Sequence, residues 1–164
     1  MHEFNDKEYI PNPFISKINQ LVVWSDYEFI YGIQAFYSMQ NTFDIEGQEH
    51  IRVEMKEKVK DVSNIEIDDD DKICCISGKY SEGITYLQIK TLKGIIKEFG
   101  TDRDFGEEFT INLGPKEELA LLHGAMREIK GNYNEFIYLK ILGDEENEVI
   151  TILANIGFSV VKET

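Results

Sequence analysis

Strand-forming runs broken by glycine and asparagine recur along the whole chain, and this rhythm constrains the fold more than any other feature. The clearest run is 84–91. There Thr85, Leu87, Ile89 and Thr91 fall on one face of an extended segment, and Tyr86, Gln88 and Lys90 fall on the other. One apolar and one polar face mark a half-buried antiparallel strand, because parallel strands are covered on both sides and read as continuous apolar runs. Residues 29–37 share the β-branched and aromatic content, and further strands are predicted at 14–24, 65–67, 73–77, 109–113, 119–123 and 136–142. Short strands with frequent turns predict an all-β sandwich, barrel or prism.

Two segments depart from this rhythm. Over 49–62, Ile51, Met55 and Val59 are four apart, as on one face of a helix, whereas Ile51, Val53 and Met55 alternate, as on an edge strand. The run Asp68-Asp69-Asp70-Asp71-Lys72 reads as a solvated turn, since consecutive carboxylates diverge and repel rather than converge on one ion.

At 164 residues and 42% hydrophobic content, a single domain can bury roughly 70% of its unfolded surface. The 31 acidic residues against 17 basic ones give a net charge of -14, which repels nucleic-acid phosphates and anionic lipid headgroups. The densest basic stretch, Lys56-Glu57-Lys58-Val59-Lys60, is interleaved with acid, and no run approaches the ~20 apolar residues of a spanning helix. Neither a nucleic-acid partner nor membrane insertion is expected. The polar start, Met1-His2-Glu3-Phe4-Asn5-Asp6, lacks a secretory pattern, so a cytoplasmic or other intracellular setting is expected. Cys74 and Cys75 are the only cysteines. Neighbours in a regular strand point to opposite faces, so they are expected to be reduced apolar fillers rather than a bridge or a metal site. His123 has no partner for catalysis in the sequence, and no serine lies in a Gly-x-Ser-x-Gly elbow, so no enzymatic activity is expected.

An ordered series of motifs runs through the chain: Ile15-Ser16-Lys17-Ile18, Gly32-Ile33-Gln34-Ala35-Phe36-Tyr37, Gly47-Gln48-Glu49-His50, Ile76-Ser77-Gly78, 84–93, Phe99-Gly100, 109–113, Leu122-His123-Gly124 and Gly131-Asn132-Tyr133-Asn134-Glu135. In their order and spacing the chain resembles a jacalin-related lectin. The resemblance implies a β-prism of three four-stranded Greek-key sheets about a pseudo-threefold axis, with sugar held by loops at one end. It favours strand and loop over helix across 49–62. It implies a jacalin-like lectin domain at 14–143, an N-terminal arm at 1–13 and a C-terminal β extension at 144–164. Within the extension, 149–153 reads as a strand, Asn155-Ile156-Gly157 as a turn and 158–161 as a second strand, adding to a sheet edge or a subunit interface.

The family's sugar loop reads Gly, three variable residues, then Asp. Its counterpart here is Gly131-Asn132-Tyr133-Asn134-Glu135. The resemblance implies backbone N–H donors at Asn132 and Tyr133 and an acceptor at Glu135, with Lys79, Tyr80 and Ser81 in a neighbouring loop. A carboxylate, with about four lone-pair sites, suits a pair of hydroxyl donors. Glu135 carries one methylene more than Asp, which moves its carboxylate by roughly 1.5 Å. Tyr9-Ile10-Pro11-Asn12-Pro13 stands where the family has a glycine-rich loop. The resemblance implies calcium-independent binding of a glycan or glycoprotein, of mannose or glucose type rather than galactose, with no cofactor and no metal. The alternative is a non-lectin interaction or scaffold module on the same prism, meeting a protein partner or a second copy through the extension.

Overall fold

Strands β2 (Ser16–Ser25) and β3 (Ile30–Met39) pair antiparallel from Ser16↔Met39 to Ser25↔Ile30 and form the centre of the first sheet. The computed structural model describes residues 2–8, 10, 16–39, 43–59, 61–130 and 149–162. Strand β4 (Asp44–Glu46) adds to β3 and β5 (Val62–Glu66) adds to β2, giving the order β4-β3-β2-β5. The second sheet runs β8-β7-β6-β9, from β6 (Ile73–Tyr80), β7 (Ile84–Thr91), β8 (Ile96–Gly100) and β9 (Glu107–Asn112). In both, the fourth strand returns to lie beside the first, which is the Greek-key order.

The third sheet, among the described residues, runs β1-β10-β11 and contains β1 (His2–Asn5), β10 (Glu117–Lys130) and β11 (Val149–Lys162). The place beside β10 that a fourth strand fills in the other two sheets is taken here by β1, from the opposite end of the chain. Segment 1–13, expected as an arm, thus contributes an edge strand.

The all-β prism follows from what the strands bury. The inward faces of all three sheets meet in one core that includes Leu21, Ile33, Ile76, Leu87, Phe99, Leu122 and Leu153. In β7 the expected inward face is buried at Thr85, Leu87, Ile89 and Thr91, and Lys90 opposite is exposed; Tyr86, expected on the outward face, is buried as well, with its hydroxyl donated to Glu98 at 2.7 Å. Two glycines let neighbouring strands lay an aromatic ring over their backbone. Gly78 faces Phe109 and Gly124 faces Phe4, and a Cβ would stand 2.7 Å and 2.8 Å from those ring carbons.

The structure departs from the sequence reading in three places. A helix, α1 (Val53–Lys58), replaces the strand and loop expected within 49–62. Its four-residue spacing wins because Met55 and Val59 together cover Trp24 and Tyr31 on the outer face of the first sheet. Second, β11 continues through Asn155-Ile156-Gly157 where a turn was expected. Ala125 pairs with Asn155 and Met126 with Leu153, so the turn-favouring residues flank a β-bulge at Ala154. Third, the acidic run forms a turn whose first three aspartates are exposed, but Asp71 is buried. Its Oδ1 accepts the backbone N–H groups of Lys72 at 2.8 Å and Lys93 at 3.1 Å, which braces the β7–β8 connection. The strand expected at 136–142 lies outside the described residues.

Leu153 of β11 is wholly buried, and Ile156 and Phe158 pack partly buried against the core. Burying a large aliphatic or aromatic side chain contributes about 1.5–3 kcal/mol, against a total stability of about 5–15 kcal/mol for an ordinary domain. A chain ending at Gly143 is therefore expected to lose cooperative thermal unfolding; a soluble truncation with an unchanged Tm would contradict this packing.

Candidate functional site

Just after β1 the chain turns inward. The Asn5 side-chain oxygen accepts the Lys7 N–H at 2.9 Å, tightening the 3-10 turn Asp6–Glu8 and dropping Asp6 into the interior, where it is fully buried. A buried carboxylate is costly unless its oxygens are satisfied. Tyr37 donates its hydroxyl to Oδ2, and His50 Nε2 lies 2.5 Å from Oδ1. The Tyr37 oxygen in turn accepts the backbone N–H of Leu122 on β10 at 3.0 Å. Burial first, and the Asp6 charge second, push the Tyr37 phenol far above its ordinary range, so it stays a donor at every physiological pH.

The Gly47-Gln48-Glu49-His50 motif is stitched to β3. Gly47 and His50 donate to the carbonyls of Ala35 and Ile33, both at 2.9 Å, and the Gln34 amide donates to the Gly47 carbonyl at 2.8 Å. A side chain at position 47 would meet the Ala35 carbonyl at 2.3 Å, so only glycine allows this approach. His50 then stacks on Phe4, with centroids 3.9 Å apart and planes at 13°.

Above this stack opens a cleft of about 1020 Å³ between β1, the 48–52 segment and β10. Its walls mix polar side chains, among them Glu3, Asn5, Gln48, Arg52, Arg127 and Glu128, with apolar surface that includes Phe4, Ile51 and Met126. Arg52 Nη1 meets Glu128 Oε1 at 2.5 Å across it, and Lys56 meets Glu49 at 2.5 Å on its rim. Amides, carboxylates and guanidinium groups interspersed with apolar surface form the kind of lining that takes a polyhydroxylated ligand, hydrogen-bonding its hydroxyls and packing against its ring.

The residues singled out in sequence fall in two groups. Gly131, Asn132, Tyr133, Asn134 and Glu135 lie outside the described residues. Lys79, Tyr80 and Ser81 lie at the β6–β7 hairpin, tied to β10 by Arg127, whose Nη1 donates to the Glu82 carbonyl at 2.9 Å. The hairpin therefore stands beside β10, whose last described residue is Lys130. Within it, Lys79 is already engaged: its Nζ meets Asp102 at 2.6 Å and also donates to the Arg103 carbonyl, and the Asp102 hydrogen bond raises its pKa. Tyr80 is 41% exposed, with its phenol pushed up chiefly by a hydrogen bond to Glu107. Ser81 donates its N–H to Gly83 in the tight turn. Tyr80 and Ser81 are thus both exposed at the hairpin, whereas Lys79 is not. Sequence reading missed the cleft residues of β1 and β10, although the 47–50 motif was a signal to one wall.

Nearby, Arg103 spans two loops. Its guanidinium lies 4.4 Å from the Tyr27 ring centre and 5.5 Å from that of Phe105, and it donates to the Tyr27 carbonyl. Burial and the Asp26 charge raise the Glu28 pKa, while Arg103 opposes them.

Residues 4–133 match the sequence profile of the Jacalin-like lectin domain. The chain belongs to that family. Among solved structures, this jacalin-like chain is similar to the prostate-specific WGA16 glycoprotein lectin, with 12% identity over 99% of this chain and 91% of that one and a TM-score of 0.61. It is similar to a galactose-specific lectin from Artocarpus hirsuta in complex with methyl-α-D-galactose, at 17% identity over 76% and 90% of the chains and a TM-score of 0.61. Artocarpin complexed with methyl-α-mannose gives 16% identity over 93% and 88%, with a TM-score of 0.60. These likenesses establish the shared fold. Among proteins of curated function, none matches the chain by sequence.

Two outcomes are expected. Asp6→Ala strands two buried donors at roughly 1–3 kcal/mol each, so calorimetry should show Tm lowered by several degrees. Arg103→Ala removes the cation that opposes the rise at Glu28, so the Glu28 carboxyl should titrate at higher pH than in the parent, as read by carboxyl NMR.

Proposed function

We propose that this jacalin-like domain binds a neutral glycan of mannose or glucose type without calcium, using residues 131–135 together with the 79–81 hairpin and the adjoining cleft. The observation that carries this reading is the mixed polar and apolar cleft between β1, the 48–52 segment and β10, whose β10 wall reaches Glu128, just ahead of the family's sugar-loop motif in sequence. Membership of a lectin family supports it, as do the mannose and galactose complexes of structural relatives. Binding without calcium fits a rim in which Glu128 and Glu49 are already paired to Arg52 and Lys56. In this scheme Asn132 and Tyr133 donate backbone N–H groups, Glu135 accepts two sugar hydroxyls and Tyr80 offers a ring edge. No described helix is long and apolar enough to cross a membrane. We place the protein inside the cell, where Cys74 and Cys75 remain thiols. The domain carries no catalytic role in this reading.

A second reading, an interaction module, is favoured by one observation: Leu92, Ile95 and Ile96 stand 61%, 42% and 55% exposed at the β7–β8 turn.

A glycan array decides between the two. Binding to mannose- or glucose-terminated glycans is expected, weakened by about 1.5–3 kcal/mol in Glu135→Ala through loss of a charged acceptor. Glu135→Asp should bind more tightly, because it restores the family's reach. Silence of both the parent and Glu135→Asp would transfer the function to the interaction module.

A further inference from the structure

Neither the core nor the cleft uses Cys74 and Cys75. In β6 the inward positions keep a period of two at Ile76 and Gly78, yet Ile73, also buried, lies three residues before Ile76. A β-bulge absorbs the slip: Ile73 pairs with Thr91 and Cys75 with Lys90, which leaves Cys74 as the extra residue. Both cysteines are free and half-buried, set between two inward isoleucines. The bulge thereby removes the alternation that would have sent them to opposite faces. Beside Cys75 in register stand Lys90 on one side and Asn112 on the other, both exposed, so the pair opens onto a polar surface.

We propose that Cys74 and Cys75 form a vicinal dithiol site for a trivalent thiophilic centre of the arsenite class. A direct disulfide fits poorly. Adjacent Cα atoms are about 3.8 Å apart across a trans peptide, below the roughly 4.4–6.8 Å that disulfides span without strain. A third atom between the sulfurs lengthens the bridge and relieves the closure. The chemistry balances without a redox partner: two S–H bonds give way to two S–As bonds, and two arsenic-bound hydroxyls leave with the thiol protons as water. Arsenic stays trivalent throughout.

Phenylarsine oxide, which forms two S–As bonds with loss of one water, is the probe. Because the chain has two cysteines, intact mass reports the site without ambiguity. The native, reduced protein is expected to take up one arsenical per chain, to retain it against excess 2-mercaptoethanol and to release it to 2,3-dimercaptopropanol. Cys74→Ser and Cys75→Ser should each lower retention against the monothiol by about a hundredfold, the effect of losing one of two tethered bonds. Uptake by the urea-unfolded chain with none by the native protein would overturn the site, and so would parental retention in either serine variant. The native-against-unfolded comparison needs no variant and holds even if a substitution disturbs folding.

Discussion

The buried Asp6 carboxylate is the constraint on which the rest of the prism depends. Taking a charge out of water is costly unless hydrogen bonds replace the lost solvation. Here the replacements come from distant parts of the chain: Tyr37 on β3, His50 in the 47–50 segment and, through the Tyr37 oxygen, the backbone of Leu122 on β10. Each must be in place for the carboxylate to be tolerated. The network therefore fixes where the N-terminal strand lies against two sheets at once. Gly47 completes the arrangement, since a Cβ there would stand 3.2 Å from the Asp6 carboxylate.

The cleft inherits its geometry from this anchor. Phe4, the residue that stacks on His50, also covers Gly124, so one ring joins the cleft floor to the packing of the third sheet. On the walls above it Arg52 pairs with Glu128 and Glu49 with Lys56, exposed ion pairs that each contribute little to stability. The site thus has a buried base and an exposed rim, which separates the residues that maintain the fold from those that a ligand can reach.

Much of the fold was legible because strand alternation is a local signal. Residues 84–91 declare their inward face through side-chain chemistry alone, and the structure buries that face. The departures arose where a distant partner decided the outcome. Asn155 and Gly157 carry turn chemistry, but pairing with β10 draws them into a continuous bulged strand. Met55 and Val59 take the helical option because Trp24 and Tyr31 offer a surface to cover. Asp6 looked like one acid among many in a polar leader, and nothing near it in sequence announces Tyr37 or Leu122. The order of motifs pointed to the lectin family, whereas the cleft, assembled from three separated segments, left only the 47–50 motif as a trace.

The placement of β1 carries a consequence for how the protein comes into being. His2 pairs with Met126, so β1 leaves the ribosome long before its partner β10. Contacts between residues so distant in sequence close slowly, because the intervening chain must be ordered first. During synthesis the first two sheets can form their hairpins locally, while β1, with Phe4 exposed and Asp6 still hydrated, remains without its partner. Burial of Asp6 then follows the emergence of β10, and the third sheet forms only when these two distant segments meet.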